Sequence, residues 1–70
     1  MIIVTGASRG LGKAICNRLT ERGERVIGLA RATEQLDFEG IVCDVSDYSS
    51  VKNAARTVKK LGDPVTAVIN

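Results

Sequence analysis

The chain contains no histidine and no tryptophan, and only one proline, one phenylalanine and one tyrosine among its 70 residues. Without an imidazole, Cys16 and Cys43 cannot complete a zinc site, and they stand too far apart to form a CxxC pair. They read as small buried apolar residues of a reducing compartment. Ten basic and eight acidic residues, spread along the chain, give a net charge of +2. With two aromatics and no basic block, neither a base-stacking platform nor a phosphate-tracking stripe is present, so no nucleic-acid partner is expected. No apolar run approaches the ~20 residues of a membrane span. Met1 leads into a strand without the basic stretch of a signal peptide, so no membrane partner and a cytoplasmic location are expected. The rest is ordinary: 44% hydrophobic and 26% charged residues suit a folded domain rather than a disordered chain. A chain this short makes one domain at most, and a marginally stable one.

The most informative segment is Thr5-Gly6-Ala7-Ser8-Arg9-Gly10-Leu11-Gly12, which follows the apolar run Ile2-Ile3-Val4. A strand that turns through glycines into a helix gathers unpaired N–H groups and the positive end of a helix dipole at one point. Such a point binds phosphate without a charged side chain. Gly6 permits the tight turn, Gly10 lets backbone approach a diphosphate, and Gly12 lets the helix pack on the sheet. The bland alternative is a glycine-rich connection with no ligand. A Walker loop is excluded: five residues separate Gly6 from Gly12 where four are required, and Ala14 replaces the magnesium-binding Ser or Thr.

Periodicity supplies the frame. Residues 1–5 read as a buried strand. Gly12, Ile15, Cys16 and Leu19 form the apolar stripe of a helix from Gly12 to about Arg22, stopped by Gly23. Arg25–Ala30 is a second strand, apolar enough for a parallel sheet covered on both faces. Residues 31–39 are too few and too polar for a full crossover helix, with Leu36 and Phe38 leaning back on the sheet. Gly40–Cys43 is a third strand. Ser46 is the expected N-cap of a helix that runs to about Leu61, with Val51, Ala54, Ala55 and Val58 as its buried stripe. Gly62 and Pro64 end it, and residues 65–69 form a fourth strand. The expected fold class is α/β: half of a doubly wound parallel sheet, strand order 3-2-1-4, with the two helices on opposite faces. Strand 65–69 would be a bare apolar edge, so residues 1–70 are expected to be part of a longer chain or to self-associate through it.

The string Thr-Gly-x-x-x-Gly-x-Gly resembles the glycine motif of the short-chain dehydrogenases/reductases, and the resemblance extends over essentially the whole chain. Cys43-Asp44-Val45-Ser46-Asp47 is similar to that family's Asp-Val-x-Asp element. The likeness implies that Asp44 accepts from the adenine amino group with the Val45 backbone beside the ring; otherwise Asp44 merely caps the following helix. Val68-Ile69-Asn70 matches the start of the family's Asn-Asn-Ala-Gly element. The resemblance therefore implies a cofactor site built from Gly6, Ser8, Arg9, Gly10, Leu11, Gly12, Arg31, Asp44, Val45 and Asn70. NAD-binding sites use a carboxylate about 20 residues past the glycines, to hold the ribose 2′-OH. Here Arg31 stands in its place, and no carboxylate follows until Glu34. A guanidinium suits a 2′-phosphate, and Arg9 resembles the second basic determinant, so NADP(H) is expected in preference to NAD(H).

Tyr48 and Lys52 match the family's Tyr-x-x-x-Lys catalytic string. The family's own pair lies much later in the chain, so this one is expected to be a decoy. No catalytic residue is assigned, and the chain is expected to be inactive alone. The resemblance implies the NADP(H)-binding portion of an oxidoreductase acting on a carbonyl or an alcohol, one that resembles the 3-oxoacyl-carrier-protein reductases. The alternative is a non-catalytic nucleotide-binding or self-associating half-fold.

Overall fold

In the computed structural model, which describes residues 1–70, the β-branched run Ile2–Thr5 forms β1, and the stretch after the glycine turn forms α1, Gly10–Glu21. The remaining elements are β2 (Val26–Ala30), β3 (Gly40–Val42), α2 (Tyr48–Leu61) and β4 (Ala67–Ile69). All strand pairs are parallel and the order is β3-β2-β1-β4. In the central register Ile3 lies beside Ile27 on one side and Val68 on the other.

Alternation along the strands builds a core on each face of the sheet. Val4 and Val26 pack with Ala7 and Cys16, beneath Ile15 and Leu19 of α1. Met1, Ile3 and Ile27 pack on the other face against Val58 and Leu61 of α2. The helices thus cover opposite faces, as the pattern predicts. Cys16 is enclosed on the α1 side, and burial pushes its thiol pKa up. Cys43, just past β3, is also buried, and both thiols are free.

Several local expectations are corrected. Helix α1 starts at Gly10, not Gly12, because the positive φ of Gly10 (+61°) takes the chain straight from extended Arg9 into the helix. The N-cap of α2 is Asp47, whose Oδ1 accepts from the Ser49 N–H at 3.0 Å, not Ser46, whose hydroxyl is already committed to Asp44. Strand β3 ends one residue early, at Val42, and β4 spans 67–69, although Thr66 N–H already donates to Met1 O at 2.9 Å. Of the expected α2 stripe only Ala54 is buried: Val51 stays 40% exposed and Ala55 is exposed, because nothing covers that side of the helix.

Elsewhere the details follow expectation. Gly23 (φ +82°) closes α1, with its N–H donating to Thr20 O and that of Glu24 to Leu19 O, the paired bonds of a left-handed stop. The 31–39 connection holds no helix, and Phe38 folds back so closely that a Cβ on Gly28 would come within 2.6 Å of its ring. At the entry ends of the strands one guanidinium, Arg25, pairs with Glu39 before β3 and with Asp63 before β4. These two carboxylates raise its pKa further.

Candidate functional site

The carboxyl ends of β1, β2 and β3 open on a cleft of about 360 Å³. Parallel sheets bind ligands at this end because the strand-to-helix turns meet there. Gly6, with φ +62°, turns the chain out of β1, and Ser8 and Arg9 form the near wall. Arg31 follows β2, and Asp44 and Val45 follow β3. The structure therefore brings Gly6, Ser8, Arg9, Arg31, Asp44 and Val45 together around one hollow.

Gly10, Leu11 and Gly12 continue from Arg9 as the first turn of α1 and line none of the hollow's walls. Leu11 is 76% exposed. Gly12 has a packing role: a Cβ there would fall on the Gly6 carbonyl oxygen and lie 3.1 Å from that of Thr5. Asn70 lies apart, past β4, where the Thr5 hydroxyl donates to its Oδ1 at 3.3 Å.

The turn leaves its amides free. The N–H groups of Ser8 through Gly12 donate to no other group in the chain, and Arg9 at the N-cap offers no side-chain cap. Helix N-termini normally satisfy such donors with side chains, water or ligand. A run of free amides at a dipole's positive end is an anion cradle.

Charge around the cleft is mostly positive. Neither Arg9 nor Arg31 is in an ion pair, and Asp44 is the only carboxylate among the lining residues. Hydrogen bonds from the Ser46 hydroxyl and backbone N–H hold the Asp44 carboxyl below its ordinary pKa, with Arg31 nearby adding to the effect. Asp44 is not the cap of α2. Glu34 lines a neighbouring hollow with Lys13 and Gln35, which shares Ser8 with the cleft. Sequence reasoning missed Ser46 as a cleft residue; its signal was the Asp-x-Ser spacing of a side-chain-closed turn.

Tyr48 and Lys52 line none of the hollows, and Tyr48 is 79% exposed. A third hollow, an apolar groove of about 440 Å³, runs between α2 and β4 past Val51, Ala55, Val65 and Val68. No helix is long and apolar enough to cross a membrane.

Residues 1–70 match the family model described as short chain dehydrogenase. The chain is 37% identical to the NADPH-dependent pterin aldehyde reductase of Arabidopsis thaliana, an alignment covering 99% of this chain and 34% of that protein. It is 34% identical to a 3-oxoacyl-[acyl-carrier-protein] reductase of Vibrio harveyi, over 97% of this chain and 32% of the other. Among solved structures, ligand-free aldohexose dehydrogenase from Thermoplasma acidophilum superposes with a TM-score of 0.85 at 32% identity, covering 96% of this chain and 27% of that one. A short chain dehydrogenase from Leptospira borgpetersenii with bound NAD+ shares the fold at TM-score 0.85 and 22% identity, over 99% and 29% of the two chains. The chain thus spans about a third of the length of the curated relatives it matches.

Proposed function

The chain belongs to the short chain dehydrogenase family, and from that premise we propose that residues 1–70 bind the adenosine and diphosphate half of a nicotinamide dinucleotide, NADP(H) in preference to NAD(H). The protein that carries them would be an oxidoreductase acting on a carbonyl or an alcohol. The 3-oxoacyl-carrier-protein reductase branch is its proposed neighbourhood. The observation that carries the reading is the run of free amides from Ser8 to Gly12 at the start of α1.

In this reading those amides hold the diphosphate, and Gly12 keeps α1 close enough to β1 for them to converge. Arg9 and Arg31 flank the cleft without carboxylate partners, which supports a 2′-phosphate between them. Glu34, the first carboxylate after β2, is not among the residues lining this cleft, which fits the same reading. Asp44 and Val45 would meet the adenine, and Asn70 the far side of the switch point. When bound, the nicotinamide supplies or takes the hydride; the protein binds and orients it. No residue of 1–70 is assigned a proton-transfer step, and Tyr48 and Lys52 take none. A cytoplasmic location and self-association through the β4 edge belong to the same proposal. A stand-alone module without an enzymatic parent is not favoured by the likenesses above.

Calorimetric titration tests the reading. NADPH is expected to bind about tenfold or more tightly than NADH, since charge-assisted bonds to phosphate are roughly twice as strong as neutral ones. Arg31→Asp should reverse the preference. Equal affinities would refute the NADP(H) assignment, and no binding of either would refute the dinucleotide site.

A further inference from the structure

Asp44 is anchored by two serines. Its Oδ1 accepts from the Ser46 backbone N–H at 3.0 Å and from the Ser46 hydroxyl at 2.6 Å. Its own backbone N–H donates to Ser50 Oγ, in the first turn of α2, at 2.8 Å. Two bonds on one carboxylate oxygen fix both torsions of a side chain this short, and the third fixes the backbone it hangs from. Oδ2 is left without a protein partner, on a residue that lines the cleft.

We propose that Ser46 and Ser50 are positioning residues: by tying Asp44 down on one side, they present Oδ2 as a fixed acceptor that selects a 6-amino purine over a 6-oxo purine. The inference rests on the reading that the adenosine end of a dinucleotide lies in this cleft. An ionised carboxylate only accepts hydrogen bonds. Held still, it rewards the two N–H donors of an amino group and repels the lone pairs of a keto oxygen at the same ring position. A freely turning carboxylate could swing away from the keto oxygen and lose that discrimination. The Ser46 bonds and Arg31 also keep the carboxyl ionised well below neutral pH, so its acceptor character is constant. If Ser46 served only to close the turn into α2, its loss would weaken all purine dinucleotides alike.

The test compares NADPH with its hypoxanthine (deamino) counterpart by calorimetry. The wild-type protein is expected to favour NADPH by about tenfold, the scale of one hydrogen bond to a charged group. Ser46→Ala should bring that ratio down to about two- or threefold, with little change in affinity for the hypoxanthine form. Ser46→Thr, which keeps the hydroxyl, should restore the ratio, and Ser50→Ala should lower it in part. Ser46 is exposed, so its variants are expected to fold, with circular dichroism as the check. An unchanged ratio in both alanine variants, or no preference in the wild type, would overturn the inference while leaving the cofactor site standing. Failure of the wild type to bind either NADPH or NADH would overturn the site, and the inference with it.

Discussion

A methyl group at position 12 would meet the carbonyl oxygen of Gly6, the residue through which β1 turns into the cleft. Backbone cannot swing aside as a flexible side chain can, so α1 would have to lift from the sheet. Gly12→Ala is therefore expected to cost about 1–3 kcal/mol, the usual scale of overpacking. It should be read as a lower urea midpoint at unchanged slope, with dinucleotide binding lost as the α1 amides move apart. Asp44 makes a different prediction at the same scale. Its folded pKa is depressed, so its contribution to stability is present above the ordinary carboxylate value of about 3.9. That contribution is lost as pH falls through the lower folded value. Following the Asp44 carboxyl carbon by NMR, Ser46→Ala should shift the titration midpoint upward, toward the ordinary range. A midpoint unmoved by the substitution would mean that the Ser46 bonds do not hold in solution.

Both ends of α2 are capped, by the Asp47 carboxylate at the start and by Gly62 in the left-handed region (φ +83°) at the end. Asp47→Ala and Gly62→Ala are each expected to cost about 1 kcal/mol in thermal or urea unfolding. Ser46→Ala should leave helix stability nearly unchanged if its hydroxyl serves Asp44. This pair of neighbours shows where reading the sequence stops. Ser46 and Asp47 are equally good caps by propensity, and local chemistry cannot rank them. What decides is the end of β3, which delivers the Asp44 carboxylate to the Ser46 hydroxyl. Strand order, the opposed helices and the glycine turn were all legible, because periods of two and 3.6 and the left-handed glycines are local signals. The convergence of Arg9, Arg31, Asp44 and Val45 followed from the strand order. The position of Glu34 did not, because the 31–39 connection has no period and takes its course from Phe38 packed over Gly28. Nor did the exposure of Val51 and Ala55, since an apolar helix stripe reports what could be covered, not what is.

Taken as one body, the chain exposes 4783 Å², against about 4200 Å² expected for a folded monomer of its mass. Apolar surface in the groove between α2 and β4 contributes to that excess, with Val65 44% and Val68 62% exposed. On the proposed self-association through β4, Val68→Lys should shift sedimentation toward the monomer, as charge on an edge strand does. A wild type that sediments as a strict monomer at all concentrations would refute that proposal. The two buried thiols add a means of following the molecule in time. Cys16 projects from α1 into the core on that face of the sheet, whereas Cys43 lies beyond β3, against both the cleft and the groove. An alkylating reagent reaches each only when its own side opens, so the chain carries a pair of built-in stopwatches, one for each layer. Nucleotide seated in the cleft should slow the clock at Cys43 more than the clock at Cys16, and mass spectrometry of the labelled peptides would time the two separately.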